Sequence, residues 1–502
     1  MAAVMVSSVM VVLVVLVASQ MWPGEACLTP EEAYRYTGAV CRLTYPAALV
    51  LNEKTTRVIE AAFQHAKYPS IDGEKSMMMF GKVTYGLHNL EIHNLSIGNS
   101  EVEYRAGEGV GLVISNVSAL FKGTIKYGYG NFLVKVSQSV DFEIDSQIDL
   151  GINPKLYCGA GKVAADTSDC YLTFHKLKLI LQGDREPGWL KRIFTEFVTF
   201  TVKVVIKSQI CQEINNVANI LADFIQDQAG QFLGDGNIGV DIGVTSAPVI
   251  TSNYIESYHK GLALYNGTKA VINASVFHPS QMTEDRMLSF WISDDFMNPL
   301  IAAAHKDGRF VMSLAGANLT DLFKADLSTE MPASIKQLLS SEAAVLTARS
   351  VSEPLLWNTP EGSHVKAVAA VELSPGPIGS DTPTLHFQTE VEVLVHASYA
   401  EKKLILKAKA LNISIDTVLQ NQNAAMEETM VSYLQEAVEK IGIPKVTSHL
   451  EPSLTALMDM QGLYLFDIIN PEVLTQNGYV VIQMGFGFPH HLLVEFLKKT
   501  LV

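Results

Sequence analysis

Val134-Lys135-Val136-Ser137-Gln138-Ser139-Val140-Asp141-Phe142-Glu143-Ile144-Asp145-Ser146-Gln147-Ile148-Asp149-Leu150-Gly151-Ile152 decides the fold class. Val134, Val136, Val140, Phe142, Ile144, Ile148, Leu150 and Ile152 share one parity, interrupted by Gln138 and Ser146. Asp141, Glu143, Asp145 and Asp149 share the other. A period of two puts one set against a core and the other in water, so the stretch predicts a strand. At about 3.3 Å per residue it spans roughly 60 Å, against about five or six residues for an ordinary strand. Strands of that length suit a tall, twisted, tubular barrel better than a compact sandwich.

The sequence on either side extends this reading. Upstream, Pro46 to His65 predicts an amphipathic helix with Leu51, Val58, Ile59, Ala62 and Phe63 on its buried side. Val83, Tyr85 and Leu87 then alternate, and the phase slips before Leu90 and Ile92 and again before Leu95 and Ile97. Each slip predicts a β-bulge, which bends and twists a sheet. Downstream, Pro187-Gly188-Trp189 opens a helix that the pattern carries from Leu190 to about Leu233, again roughly 60 Å at about 1.5 Å per residue. The β-branched run Val202 to Ile206 weakens it.

Cys211 to Leu264 predicts a spine between two halves. Cys211, Ile214, Ala218, Leu221 and Ile225 form a helical stripe. Gly234-Asp235-Gly236 breaks it, and two alternating runs follow: Ile238, Val240, Ile242, Val244, then Val249, Ile250, Tyr254, Ile255. The second half repeats the organisation without repeating the residues. Leu385 to Tyr399 and Leu404 to Ile415 alternate, with a slip before Leu411, and Ser374 to Gly379 forms a loop ahead of them. A helical region runs from about Ala425 to Met460, with interruptions expected at Pro444 and Pro452. Strands at Leu463 to Pro471 and Tyr479 to Met484 close the repeat.

The chain is 502 residues long, too many for one core. Hydrophobic residues make up 48%, a surplus that needs a membrane, a partner or an enclosed ligand. A net charge of −15 disfavours nucleic acid and polybasic membrane attachment. Residues 1–26 read as a signal peptide, with Val4 to Val17 as its apolar core and Gly24 and Ala26 before a cut at Cys27. Export makes the six sequons at Asn94, Asn116, Asn266, Asn273, Asn318 and Asn412 candidate glycan acceptors. Asn266-Gly267 suggests an exposed turn. Five cysteines, Cys27, Cys41, Cys158, Cys170 and Cys211, leave at least one unpaired.

No residue pattern supports catalysis. A lipase needs a G-x-S-x-G elbow, and Gly362-Ser363-His364 does not supply one. Metalloprotease, EF-hand and C-x-x-C motifs are absent. His490 and His491 are adjacent, so on a helix they point about 100° apart and do not share an ion. No metal or cofactor is expected. The C-terminal segment has different content: Leu493, Phe496, Leu497 and Leu501 share one helical face, Leu492 edges it, and Glu495, Lys498 and Lys499 lie opposite. It predicts an amphipathic helix that caps an apolar opening or rests on a lipid surface.

Several runs carry a resemblance over everything after Cys27. They are Phe121 to Tyr129, Asp141 to Ser146, Arg185 to Trp189, Leu465 to Glu472 and Phe486 to Pro489. On these the chain resembles the plasma lipid-transfer and lipopolysaccharide-binding family that includes bactericidal permeability-increasing protein. The resemblance implies an α+β fold: an elongated boomerang of two tubular barrels, each of long twisted antiparallel strands with a long helix, joined by a central sheet. It divides the chain into residues 27–211 and 286–484 as barrels, 212–285 as central sheet and linker, and 485–502 as the terminal helix. It implies non-enzymatic exchange of cholesteryl ester, triglyceride and phospholipid between plasma lipoproteins by a secreted monomer. Phospholipid transfer alone, or lipopolysaccharide capture, is the alternative, and the acidic balance argues against capture. The family disulfide falls on Cys170 and Cys211, leaving Cys27, Cys41 and Cys158 free. Tunnel-lining positions fall on Cys41, Leu43, Gln226, Ser257, His259, Phe466 and Ile468, where a few polar groups beside an apolar wall hold a lipid's polar part. Two departures stand out: Gln228 replaces a family arginine, and Asn131-Phe132-Leu133 replaces tandem tryptophans at the barrel tip.

Overall fold

The computed structural model describes residues 27–487, apart from 66–67, 78–80, 131–134, 160, 167, 183–198, 201–202, 213–214, 216–235, 324–326, 377–383, 401–402, 418–427 and 461–466. The strand expected around Val134 to Ile152 runs Lys135–Ile152, and its hairpin partner Gly109–Gly130 is longer still. Phe142, Ile144, Ile148, Leu150 and Ile152 are buried. They belong to one apolar cluster with Leu87, Ile114, Phe121 and Ile125 from neighbouring strands. Gly123 admits Phe142 there: a Cβ at Gly123 would sit 2.8 Å from the Phe142 ring.

Both halves use one topology. The first sheet runs Ile71–Met77, Gly81–Ser96, Gly109–Gly130, Lys135–Ile152, Cys170–Gln182, with Asn99–Arg105 also paired to Gly109–Gly130. The second runs Val311–Ala315, Val345–Ser350, Gly362–Ser374, Leu385–Ala400, Lys403–Thr417, with Leu355–Thr359 also paired to Gly362–Ser374. A strand and a helix precede each sheet: Ala39–Thr44 and Tyr45–His65 in one half, Leu288–Ser293 and Asp294–Lys306 in the other. The α+β class and the paired long-stranded sheets are as the sequence predicts.

The expected bulges occur. Register shifts lie between His88 and Glu91, between His93 and Ser96, and at Leu411, which the pairing of Glu392 with Asn412 and Val393 with Ala410 skips. Asn89 and Asn94 occupy the extra positions at φ 53° and 51°, and Asn116 and Asn470 do the same at two further shifts. Asparagine tolerates this left-handed region better than most residues.

Helical expectations are met in part. Tyr45–His65 forms, with Pro46 in its first turn. Of Leu190 to Leu233, residues 199–200, 203–212 and 215 are described, and all are helical. Val205, Ile206 and Ile210 pack on the first sheet's apolar face, so tertiary burial outweighs the β-branched run. In the second half, Glu428–Ala437 passes through a π-helical turn, Val438–Gly442, into Ile443–Met460. The wider turn accommodates Pro444, which lacks an N–H and would clash with the carbonyl four residues back. No break occurs at Pro452, which lies inside Ile443–Met460.

A six-stranded antiparallel sheet lies between these units in the order Val249–Ile250, Tyr254–His259, Ala39–Thr44, Leu288–Ser293, Tyr479–Gly487, Asp467–Gln476. Of the Cys211 to Leu264 spine, Val249–Ile250 and Tyr254–His259 enter it, whereas Ile238–Asp241 pairs with Leu262–Tyr265 in a separate small sheet. The joint is therefore assembled from four distant stretches, because its antiparallel partners come from both halves.

One cysteine expectation is overturned. Cys170–Cys211 forms, but Cys27 and Cys158, expected free, are also bonded to each other. The reason is tertiary. The amide of Leu28 donates to the Thr245 carbonyl and that of Val244 to the Gly161 carbonyl. This brings Cys27 beside the hairpin that carries Cys158. Cys41 is the free cysteine.

Candidate functional site

In an antiparallel sheet directly opposed residues share a face. The central sheet therefore carries a row Ser257–Cys41–Phe290–Ile482 across four strands. Rows His259–Ala39–Ile292–Val480 and Ile255–Leu43–Leu288–Met484 flank it on the same face. Ile468 pairs with Phe486, two residues beyond Met484, and joins that face. Cys41, Leu43, Ser257, His259 and Ile468, far apart in sequence, thus meet on one surface. Gln226, Phe466 and the terminal-helix residues Leu492, Leu493, Phe496, Leu497 and Leu501 lie outside the described residues.

The two faces differ in packing. On the reverse, Val40, Tyr258, Trp291 and Val481 pack with Phe277 and Met282 into a sealed cluster. Arg42 (2% exposed) and Glu256 (1%) form a buried ion pair there. Arg42 Nε donates to Glu256 Oε2 at 2.7 Å, and its terminal nitrogens reach the carbonyls of Met282 and Pro279. Tyr258 donates its hydroxyl to Glu256 Oε1 at 2.7 Å, and the guanidinium lies 4.2 Å from the Tyr254 ring. On the obverse, Cys41, Leu43, Ser257, His259, Phe290 and Ile482 are only partly buried. Val240, Ile242 and Phe296 cover the Ala39 and Ile292 end of it.

Two polar groups stand on the obverse apolar face as a unit. Ser257 Oγ lies 2.8 Å from His259 Nε2, and His259 Nδ1 lies 2.9 Å from the Ile242 carbonyl oxygen. Burial lowers the pKa of His259, with the bond to Ile242 opposing, so the ring is neutral above pH 7. Beside it, burial pushes the Cys41 thiol up to about 12, helped by the Glu256 charge. Cys41 is a small hydrophobe here. No group of metal-ligating side chains occurs among the described residues.

Sequence reasoning missed Phe290 and Ile482, although Leu288, Phe290 and Ile292 alternate visibly. It had no signal for the Ile242 carbonyl, a main-chain group. All six sequon asparagines are exposed. Asn266 sits at φ 47° in its turn, and Asn94 and Asn116 at bulges.

Residues 49–224 match the LBP / BPI / CETP family, N-terminal domain, and residues 234–455 its C-terminal domain. The chain is 44% identical over 488 residues to the cholesteryl ester transfer protein of Gallus gallus, covering 95% of each. It is 44% identical over 485 residues to that of Homo sapiens, covering 95% of this chain and 97% of the relative. The human lipopolysaccharide-binding protein is 23% identical over 289 residues, 57% of this chain and 59% of the relative. With two domains matched in chain order and relatives aligned nearly end to end, the chain belongs to the LBP / BPI / CETP family.

Proposed function

We propose that the protein is a secreted carrier that transfers cholesteryl ester, triglyceride and phospholipid between plasma lipoproteins without making or breaking bonds. The observation that carries this is the partly buried apolar face of the central sheet, bearing the Ser257–His259 pair. A fully buried methylene is worth about 0.8 kcal/mol, so a bare cholesteryl ester does not cross water at a useful rate. An apolar passage along that face, continued by barrels at 27–211 and 286–484 with 212–285 as linker, removes the barrier. Cys41, Leu43, Ser257, His259 and Ile468 line the passage, together with Gln226 and Phe466. Residues 485–502 act as lid or lipid-surface foot through Leu492, Leu493, Phe496, Leu497 and Leu501. Glycans on the sequon asparagines keep the outer surface wet. Support comes from relatives named for cholesteryl ester transfer that align over nearly the whole chain.

The test measures transfer of labelled cholesteryl ester and labelled phospholipid between donor and acceptor particles, for the full chain and for one lacking residues 490–502. Loss of ester transfer with phospholipid exchange retained is expected. A full chain that moves phospholipid but no ester leaves phospholipid transfer as the activity. Release of free fatty acid would mark a hydrolase instead.

A further inference from the structure

Hydrogen positions in the polar pair follow from its partners. The Ile242 carbonyl oxygen can only accept, so His259 Nδ1, 2.9 Å away, carries the ring's proton. In the neutral ring Nε2 is then a bare lone pair, and Ser257 Oγ, 2.8 Å from it, donates its one hydrogen there. The serine oxygen keeps lone pairs and has no hydrogen left to give. The rest of its row, Cys41, Phe290 and Ile482, brings no strong donor. Arg42 and Glu256 lie on the opposite face, where Arg42 donates to Glu256 and to the carbonyls of Met282 and Pro279.

We infer that the Ser257–His259 pair is an acceptor-only site, selective for a lipid bearing one hydroxyl on an otherwise apolar body. The Ile242 carbonyl is the positioning group that sets this polarity. The inference rests on the lipid-carrier reading and deepens it. An alcohol donates to Ser257 Oγ and leaves every bond in the pair intact. An ester carbonyl brings a second acceptor against an acceptor, so it slides past without being held, which suits a passage whose cargo must leave. A sterol and a diacylglycerol both present the required hydroxyl.

The experiment uses the purified full chain loaded with a fluorescent cholesteryl ester, displaced by two matched pairs: cholesterol against cholesteryl methyl ether, and dioleoylglycerol against its O-methyl ether. One hydrogen bond corresponds to about three- to tenfold in affinity. Each alcohol that enters is therefore expected to displace the probe at a concentration lower by that factor than its ether. The two arms separate sterol from glyceride as the source. His259→Phe returns the serine hydrogen, so it is expected to erase the preference and to hold the ester probe more tightly. Ser257→Ala, a milder change, is expected to keep the preference, because Nε2 then accepts directly. Equal displacement by alcohols and ethers in the unaltered chain, or a preference that survives in Ser257→Ala/His259→Phe, overturns the inference. Failure of the unaltered chain to take up any probe overturns the carrier reading itself.

Discussion

At the scale of single residues, Cys41 and His259 show how burial sets reactivity. With its thiol pushed up to about 12, Cys41 has almost no thiolate at pH 8. Iodoacetamide is expected to leave the native chain unmodified and to add to one thiol once the chain is unfolded without reductant. More than one reactive thiol would contradict the Cys27–Cys158 pairing. His259 is shifted down from 6.5. Between its folded value and 6.5 the unfolded chain binds a proton that the folded chain does not. The stability that neutral His259 contributes is thus complete above about pH 6.5 and falls as the pH drops through the folded value. Nitrogen-resolved imidazole NMR at pH 7.5 is expected to give the neutral pattern with the proton on Nδ1. A strand at Tyr254 and Ile255 was legible in the sequence. The tautomer was not, because the group that sets it is the carbonyl of Ile242, just past the strand Ile238–Asp241.

Elements add interactions between neighbours. Arg42 and Glu256 face each other across paired strands, both sealed from water. Removing one partner strands the other charge, at a cost of about 3–5 kcal/mol. Arg42→Ala is expected to lose that much in denaturant unfolding. In the second half, Glu436 accepts from Lys440, from Ser328 Oγ and from the amides of Ser328 and Thr329. Those bonds, Lys440's first, hold its carboxyl far below the ordinary value of 4.5. A depressed carboxylate stabilises the fold above its unfolded pKa and loses that contribution as pH falls through the folded one. Glu436→Gln is therefore expected to lower the melting temperature at pH 7, with the gap to the unaltered chain closing in strong acid. Phase slips in the hydrophobic pattern located the bulges at Asn89, Asn94 and Leu411, because a misplaced residue flips the faces of everything after it. The π-helical turn before Pro444 was legible only as an interruption; proline says that a helix must yield, while the packing chooses how.

For the whole molecule, the two halves are copies in topology that meet at a sheet neither could build alone. A bulky side chain in the row between Ser257 and Phe290 sits where that joint is partly open. Cys41→Trp is expected to remove most cholesteryl ester transfer while leaving far-ultraviolet circular dichroism unchanged. Transfer at the unaltered rate would place the lipid's path elsewhere. Family-like runs, long alternations and the repeat of strands, helix and strands were all present in the linear chain, because strand and helix periods are local properties. The pairing of Cys27 with Cys158, the convergence of Cys41, Leu43, Ser257, His259 and Ile468 on one face, and the sealing of Arg42 on the other were decided by the tertiary structure. Each depends on which distant strands lie side by side, and side-chain period alone carries no information about a strand's partner.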